Sequence, residues 1–443
     1  MNKEINTSKL GDIGKVLMCK RVLKHQTSEQ SDIPFYKIST FGNKPKNFIT
    51  RELYDNFRKK YNHPKKGDIL ISAAGTIGKT VIYDGEPAYF QDSNIVWINN
   101  DETKVTNDYL YYFYQTEPWL TTRGSTIKRI YNDNLRNIII NFPNLKFQKK
   151  IAKVLSDLDA KIELNNKINH ELEAMAKTLY DYWFVQFDFP DANEKPYKSS
   201  GGKMVFNKDL KRDVPKGWKS STISDWIVNN KNGDWGKEEL QGNFTKKVSC
   251  IRGADINGLN GKGKVQSPTR FILEKNSHKI LEVGDLIIEI SGGSPTQSTG
   301  RMAFITQETL ERFENPLICS NFCKAVTLTD EIYLYNFVYN WNRLYSAGVL
   351  FGWEGKTSGI KNLLFENFIT NFNVVKPSKE IVKEFHTKIK TIYKKKQKNL
   401  LENQKLSELR DWLLPMLMNG QVTVGEVESE LGMVAEEGEK YRS

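Results

Sequence analysis

Between Phe147 and Phe187 the apolar residues recur at Ile151, Leu155, Leu158 and Ile162, in steps of four and three. That spacing is a heptad seam on one long α-helix. It resumes at Ile168, Leu172, Met175, Leu179 and Tyr182, one residue out of phase, which places a slip around Asn165 and Asn166. No Pro or Gly interrupts the run, and Pro143 stands just before it, so a helix of roughly 60 Å is expected. A stripe this narrow needs a second helix. One candidate lies at Lys379 to Leu414, where Phe385, Ile389, Ile392, Leu406, Leu409 and Leu413 repeat the spacing. Pro415 is expected to end or kink it.

Elsewhere the pattern changes to short β-type runs, such as Asp68 to Ser72, Thr80 to Tyr83, Asn94 to Ile98 and Asp285 to Ile290, bounded by Gly, Asn and Asp turns. The chain then divides into a mixed domain (1–145), a first spacer helix (146–188), a Pro-, Gly- and charge-rich linker (189–215), a second mixed domain (216–376), a second helix (377–418) and an acidic tail (419–443).

The two halves repeat one another. Leu10-Gly-Asp12 is echoed by Ile223-Ser-Asp225, Tyr36 to Phe41 by Ile251 to Ile256, and Gly67-Asp-Ile-Leu70 by Gly284-Asp-Leu-Ile287. Ile127-Lys128 matches Ile360-Lys361, and Pro143 matches Pro377 at an offset of 234. At that offset Asn165 falls on Asn399, Asn169 on Asn403 and Leu172 on Leu406. The fold class predicted is α/β (α+β). Two mixed globular domains are separated by two long helices that form an antiparallel coiled coil, the whole a pseudo-twofold tandem repeat. Paired asparagines in the seam would fix its register.

Charge narrows the partners. The net charge is +12, and Val424 to Ser443 holds six Glu against two basic residues, so the body carries +16. A basic body favours a polyanion, nucleic acid being the commonest. Four cysteines give no disulfide framework, which fits a reducing cytoplasm. No apolar run reaches 18 residues, so no membrane span is expected.

Catalytic patterns fail one after another. Ala73 to Thr80 (AAGTIGKT) fits a relaxed phosphate loop, but a β-type run follows it where a helix should open. Glu354-Gly355-Lys356 has the Glu-x-Lys form of metal-dependent nucleases, with Asp285 or Glu289 as a formal upstream partner, but the first half has no copy. Asn315-Pro316-Leu317 is not a methyltransferase tetrapeptide. Five scattered histidines, and Cys319 and Cys323 four apart, give no metal site. What recurs in both halves is basic residues mixed with small polar ones. The DNA-contact candidates in the first half are Thr76, Lys79 and Thr80, then Arg123, Ser125, Thr126, Lys128 and Arg129. Those in the second are Arg252, Gln297, Thr299, Arg301, Lys356, Thr357 and Lys361. Gln and Arg pair bidentately with adenine and guanine.

The order of domain, helix, domain, helix resembles the specificity subunit of type I restriction-modification systems. So do Gly67 to Ser72 followed by Gly75-Thr-Ile-Gly78, then Gly124 to Lys128, then Pro143 to Ala152. The resemblance reaches about Val422. The second half departs from it, since its Gly-Thr-Ile-Gly loop is replaced and Val382 stands opposite Gln148. The resemblance implies two target recognition domains, each reading one half of a bipartite, asymmetric double-stranded DNA target. It implies a helical spacer that docks two modification subunits, joined by restriction subunits, and a chain with no catalysis of its own. S-adenosylmethionine, ATP and Mg2+ would then bind the partner subunits. Two other readings stay open: a single-chain nuclease or methyltransferase with its own recognition domain, and a coiled-coil scaffold that binds proteins.

Overall fold

The computed structural model describes residues 5–119, 129–292, 296–357 and 360–425, of which Lys356 and Thr357 are described as backbone alone. The chain divides into two compact units, residues 1–160 with 406–443, and residues 161–405.

In the first unit, strands Gly14–Met18, Ile95–Asn100, Ile69–Ser72 and Thr80–Ile82 form an antiparallel sheet in that spatial order. A three-stranded sheet sets Ile33–Tyr36 between Asn47–Ile49 and Tyr89–Phe90, the latter pair parallel. Asn6–Lys9 closes the unit against Ile139–Phe142. Helices Arg51–Lys60 and Asn107–Gln115 start where Thr50 and Thr106 accept a backbone N–H from Leu53 and Tyr109.

The second unit has the same strand order. Ile227–Asn232, Cys323–Leu328, Leu286–Glu289 and Met302–Phe304 form its four-stranded sheet. Phe244–Ile251 lies between Thr269–Leu273 and Leu317–Cys319, again with the last pair parallel. Lys219–Thr222 closes on Asn373–Lys376. The echoed glycines mark one turn in each unit. Gly67 and Gly284 have φ of +90° and +97°, which favours a residue without Cβ. Each precedes a buried aspartate, Asp68 or Asp285, that accepts a backbone N–H three residues upstream.

The 189–215 stretch is structured where a loose linker was expected. Met204–Asn207 and Arg212–Pro215 pair as a hairpin. Phe189 is buried, stacked on Tyr197 and Trp218 at 4.7 and 5.0 Å between ring centres. Burial of these aromatics ties the segment to the second unit's core.

The first long helix runs Leu145–Tyr180, about 54 Å at 1.5 Å per residue, and ends in a π-type turn, Asp181–Val185. The second runs Lys379–Met418 and passes through Pro415 without ending there. Pro415 lacks an N–H for the Asp411 carbonyl, and the helix ends three residues later. The expected phase slip is absent. Ile151, Leu155, Leu158, Asn165, Asn169 and Ala176 are all buried and, with half-buried Ile162 and Leu172, step by four and three without a break. Met175, placed in the seam from hydropathy, is 59% exposed and Ala176 takes its position. Apolar residues alone gave the wrong phase because the middle of the seam is polar.

Adding 234 to each of those eight positions gives Phe385, Ile389, Ile392, Lys396, Asn399, Asn403, Leu406 and Arg410. All are buried or half-buried. Within the second unit, Asn165 donates from Nδ2 to Asn403 Oδ1 and Asn399 donates to Asn169 Oδ1, both at 2.9 Å. Lys396 meets Glu173 at 2.6 Å. Within the first unit, Arg410 bonds Asp159 at 2.7 Å, and the Tyr112 hydroxyl donates to the same carboxylate at 2.8 Å.

Candidate nucleic-acid interface

The Ala73 to Thr80 loop connects the antiparallel strands Ile69–Ser72 and Thr80–Ile82. It is a hairpin loop, with no helix N-terminus to hold a phosphate. The Ser72 hydroxyl donates to the Thr76 carbonyl and accepts from Lys79 N at 2.9 Å. Gly78, at φ +80°, lies so close to the Trp119 indole that an added Cβ would stand 2.2 Å from it. Thr76 is exposed at the tip. The Lys79 ammonium turns back and donates to the Phe41 carbonyl at 2.6 Å. The Thr80 hydroxyl accepts from Gln115 at 2.7 Å. Arg129 bridges to Ala74 and donates to the Ser93 carbonyl at 2.7 Å. Arg123, Ser125, Thr126 and Lys128 lie outside the described residues.

In the second unit the candidate cations are taken up by carboxylates. Arg301 donates twice to Glu289, at 2.6 and 2.9 Å, and Glu289 is buried. This pairing favours the charged guanidinium and lifts the Arg301 pKa above its ordinary value. Arg252 binds the buried Asp255 through Nε and Nη2, and also the Gln266 carbonyl. Burial alone would raise the Asp255 pKa. Hydrogen bonds from Arg252 and from the backbone of Gln266 outweigh it and hold the carboxyl below the usual range. Lys361 reaches Glu354 at 3.3 Å and the Gln297 carbonyl at 3.4 Å, with the Phe351 ring 4.8 Å away. Thr299 is fully buried and bonds Glu354 through both N and Oγ1. Lys356 and Thr357 are in a strand paired to Ile360–Leu363.

Arg252, Thr299, Arg301 and Lys361, expected as DNA-contact groups, are each held by an internal acceptor in this structure, as is Lys79 by a backbone carbonyl. The nuclease carboxylates are occupied too, Asp285 by Lys231 and Thr327, Glu289 by Arg301 and Glu354 by Lys361. Cys319 and Cys323 are buried in an apolar cluster, and burial pushes the Cys323 thiol up to about 12. No group of three or more metal-ligating side chains occurs among the described residues. No described helix is long and apolar enough to cross a membrane.

A cationic surface lies elsewhere, where reading loop by loop missed it. Lys15 to Lys66 holds thirteen Lys and Arg against four Asp and Glu, a net +9 of the chain's +12. Twelve of those cations are exposed and Lys37 is half-buried. Charge summed by segment would have found this region.

The chain matches the type I restriction modification DNA specificity domain over residues 2–174. Its relatives among known proteins are specificity subunits of type I restriction-modification systems. It is 53% identical to a putative type I restriction enzyme specificity subunit of Haemophilus influenzae over 186 residues, 41% of this chain. That match spans about half of the relative's length, 47%. It is 24% identical to the MjaIX specificity subunit of Methanocaldococcus jannaschii, over 82% of this chain and 79% of that one. The HindI specificity subunit of Haemophilus influenzae is 23% identical over 81% of this chain and 87% of its own. The crystal structure of a type I system S subunit from M. genitalium has the same fold, with TM-score 0.51 and 16% identity, over 94% of this chain and 96% of that one.

Proposed function

We propose that this specificity subunit reads a bipartite, asymmetric double-stranded DNA target, one half with each recognition domain. The two long helices form an antiparallel coiled coil that sets the spacing between the halves and docks two modification subunits. Restriction subunits join that core in the cytoplasm. The chain itself is non-catalytic, and S-adenosylmethionine, ATP and Mg2+ are bound by the partners.

One observation carries this reading. Asn165 bonds the repeat of Asn169 (Asn403), and Asn169 bonds the repeat of Asn165 (Asn399). Contacts that exchange in this way are what a pseudo-twofold axis produces. The equal strand order of the two units supports the same symmetry. The occupied carboxylates Asp285, Glu289 and Glu354 weigh against a nuclease in the chain. A rigid spacer about 54 Å long matches roughly 16 base pairs at 3.4 Å each, so the target is expected as two read blocks with an unread gap.

The test is a heptad inserted after Lys161, with compensating residues before Glu402, in cells carrying the modification partner. Methylome sequencing should show both half-sites unchanged and the gap longer. A changed half-site with an unchanged gap would refute the spacer role.

A further inference from the structure

The cations between Lys15 and Lys66 differ in kind from those of the second unit. Among the described residues, none of the thirteen is in an ion pair. The matching segment of the second unit, 228–283, has ten cations against six carboxylates, a net +4. Four of the ten are ion-paired, to Asp285, Glu274, Asp255 and Glu238. The second copy thus pairs four of its ten cations, and the first pairs none of its thirteen. Bare like charges on one lobe repel, a standing cost unless a polyanion relieves it.

The bare charges sit on a built surface. The helix Arg51–Lys60 buries Tyr54, over whose ring Arg51 and Arg58 lie at 5.8 and 6.0 Å. The helix ends in Arg58, Lys59 and Lys60, followed by Tyr61, 44% exposed. Lys20, arriving from the strand Gly14–Met18, stands 5.2 Å over the Tyr61 ring. Lys20 thus covers the Tyr61 ring, next in sequence to the exposed Lys59 and Lys60 at the helix end. Cations in a last helical turn also favour the helix dipole. That accounts for the three on the helix and leaves Lys20, Arg21, Lys24, Lys44, Lys46 and the Lys65-Lys66 pair unexplained.

We propose that this face is a phosphate clamp. It holds the sugar-phosphate backbone of duplex DNA beside the half-site read by the first domain, and reads no bases. This rests on the chain being a DNA-reading subunit and adds that the two domains contribute unequally. The first supplies most of the sequence-independent affinity. Phosphate contacts fix position without carrying sequence information.

The test uses the full chain assembled with its modification subunits and two duplexes, one with the methylated motif and one scrambled. Binding is followed over about 50 to 200 mM salt. Each phosphate contact contributes about 0.9 to the slope of log K against log salt. Lys20→Gln with Lys59→Gln and Lys60→Gln should flatten that slope by about 2 to 3 on both duplexes and leave their affinity ratio unchanged. Lys20→Arg with Lys59→Arg and Lys60→Arg should keep the wild-type slope. A wild-type slope in the Gln variant overturns the clamp, as does weakening confined to the motif duplex. Equal affinity of the wild-type complex for both duplexes overturns sequence reading instead, and the slope on the scrambled duplex still decides the clamp.

Discussion

The asparagines in the seam can be tested as a pair. Asn399 is 1% exposed and its amide donates to Asn169 Oδ1 at 2.9 Å; Asn169 is 7% exposed, and its own Nδ2 has no hydrogen-bond partner. Asn399→Leu therefore strands both polar atoms of Asn169 in a buried seam. The lost bond and the unpaired acceptor together cost about 2–3 kcal/mol. Asn169→Leu strands the Asn399 amide hydrogen in the same way. The double variant removes both polar groups and fills the layer as Leu155 does, so it should lie within about 1 kcal/mol of wild type. The coupling energy would then be about 3 kcal/mol or more, at the upper end for residues in contact. Urea unfolding of the full chain followed by tryptophan fluorescence measures it, since Trp183, Trp218, Trp226 and Trp341 all lie in the core of the second unit. The midpoint should fall in each single variant and recover in the double, with the slope constant. A double variant whose loss equals the sum of the singles would mean the two residues do not act through each other.

Two further outcomes follow from other buried hydrogen bonds. Gln148 is fully buried, accepts from Thr106 N at 2.8 Å and donates to the carbonyls of Lys104 and Pro143. Gln148→Val, the residue at the repeat position, should lower the first unit's stability by about 2–4 kcal/mol in thermal or urea unfolding; a neutral result would show that water replaces the amide. Asp255 has a folded pKa below its unfolded value, so its contribution is present above the ordinary carboxylate pKa and is lost as pH falls through the folded one. Asp255→Asn should flatten the dependence of unfolding midpoint on pH below about pH 4, and an unchanged acid limb would rule the linkage out.

Much of the architecture was legible because it is local or repeated. The turn at Gly67-Asp68 and at Gly284-Asp285 is set by one φ and one short side-chain bond. The 234-residue offset carried the whole helix face. The seam's phase was not legible from hydropathy, since Asn165, Asn169 and Ala176 do the work of apolar residues there. The 189–215 segment looked loose because its composition is that of a linker, yet Phe189, Tyr197 and Trp218 bind it to the core. The partners of the site residues were less legible. A lysine or arginine in a loop carries no mark of its acceptor, which lies three residues away for Arg252 and much farther for others. Phe41 is 38 residues from Lys79, and Gln297 is 64 from Lys361.

The seam contacts correspond at an offset of 234 residues, whereas the contacts of the two domains differ. A seam residue is bonded to the other copy. Changing Asn169 disturbs Asn399, which is itself the repeat of Asn165, so a substitution in either helix breaks a pair with the other. The eight seam positions from Ile151 to Ala176 accordingly find buried or half-buried counterparts from Phe385 to Arg410. Gln148 laces its helix to the first domain by three hydrogen bonds, whereas Val382 does so by apolar packing alone. The segment Lys15 to Lys66 carries +9, whereas its counterpart 228–283 carries +4 and pairs four of its ten cations.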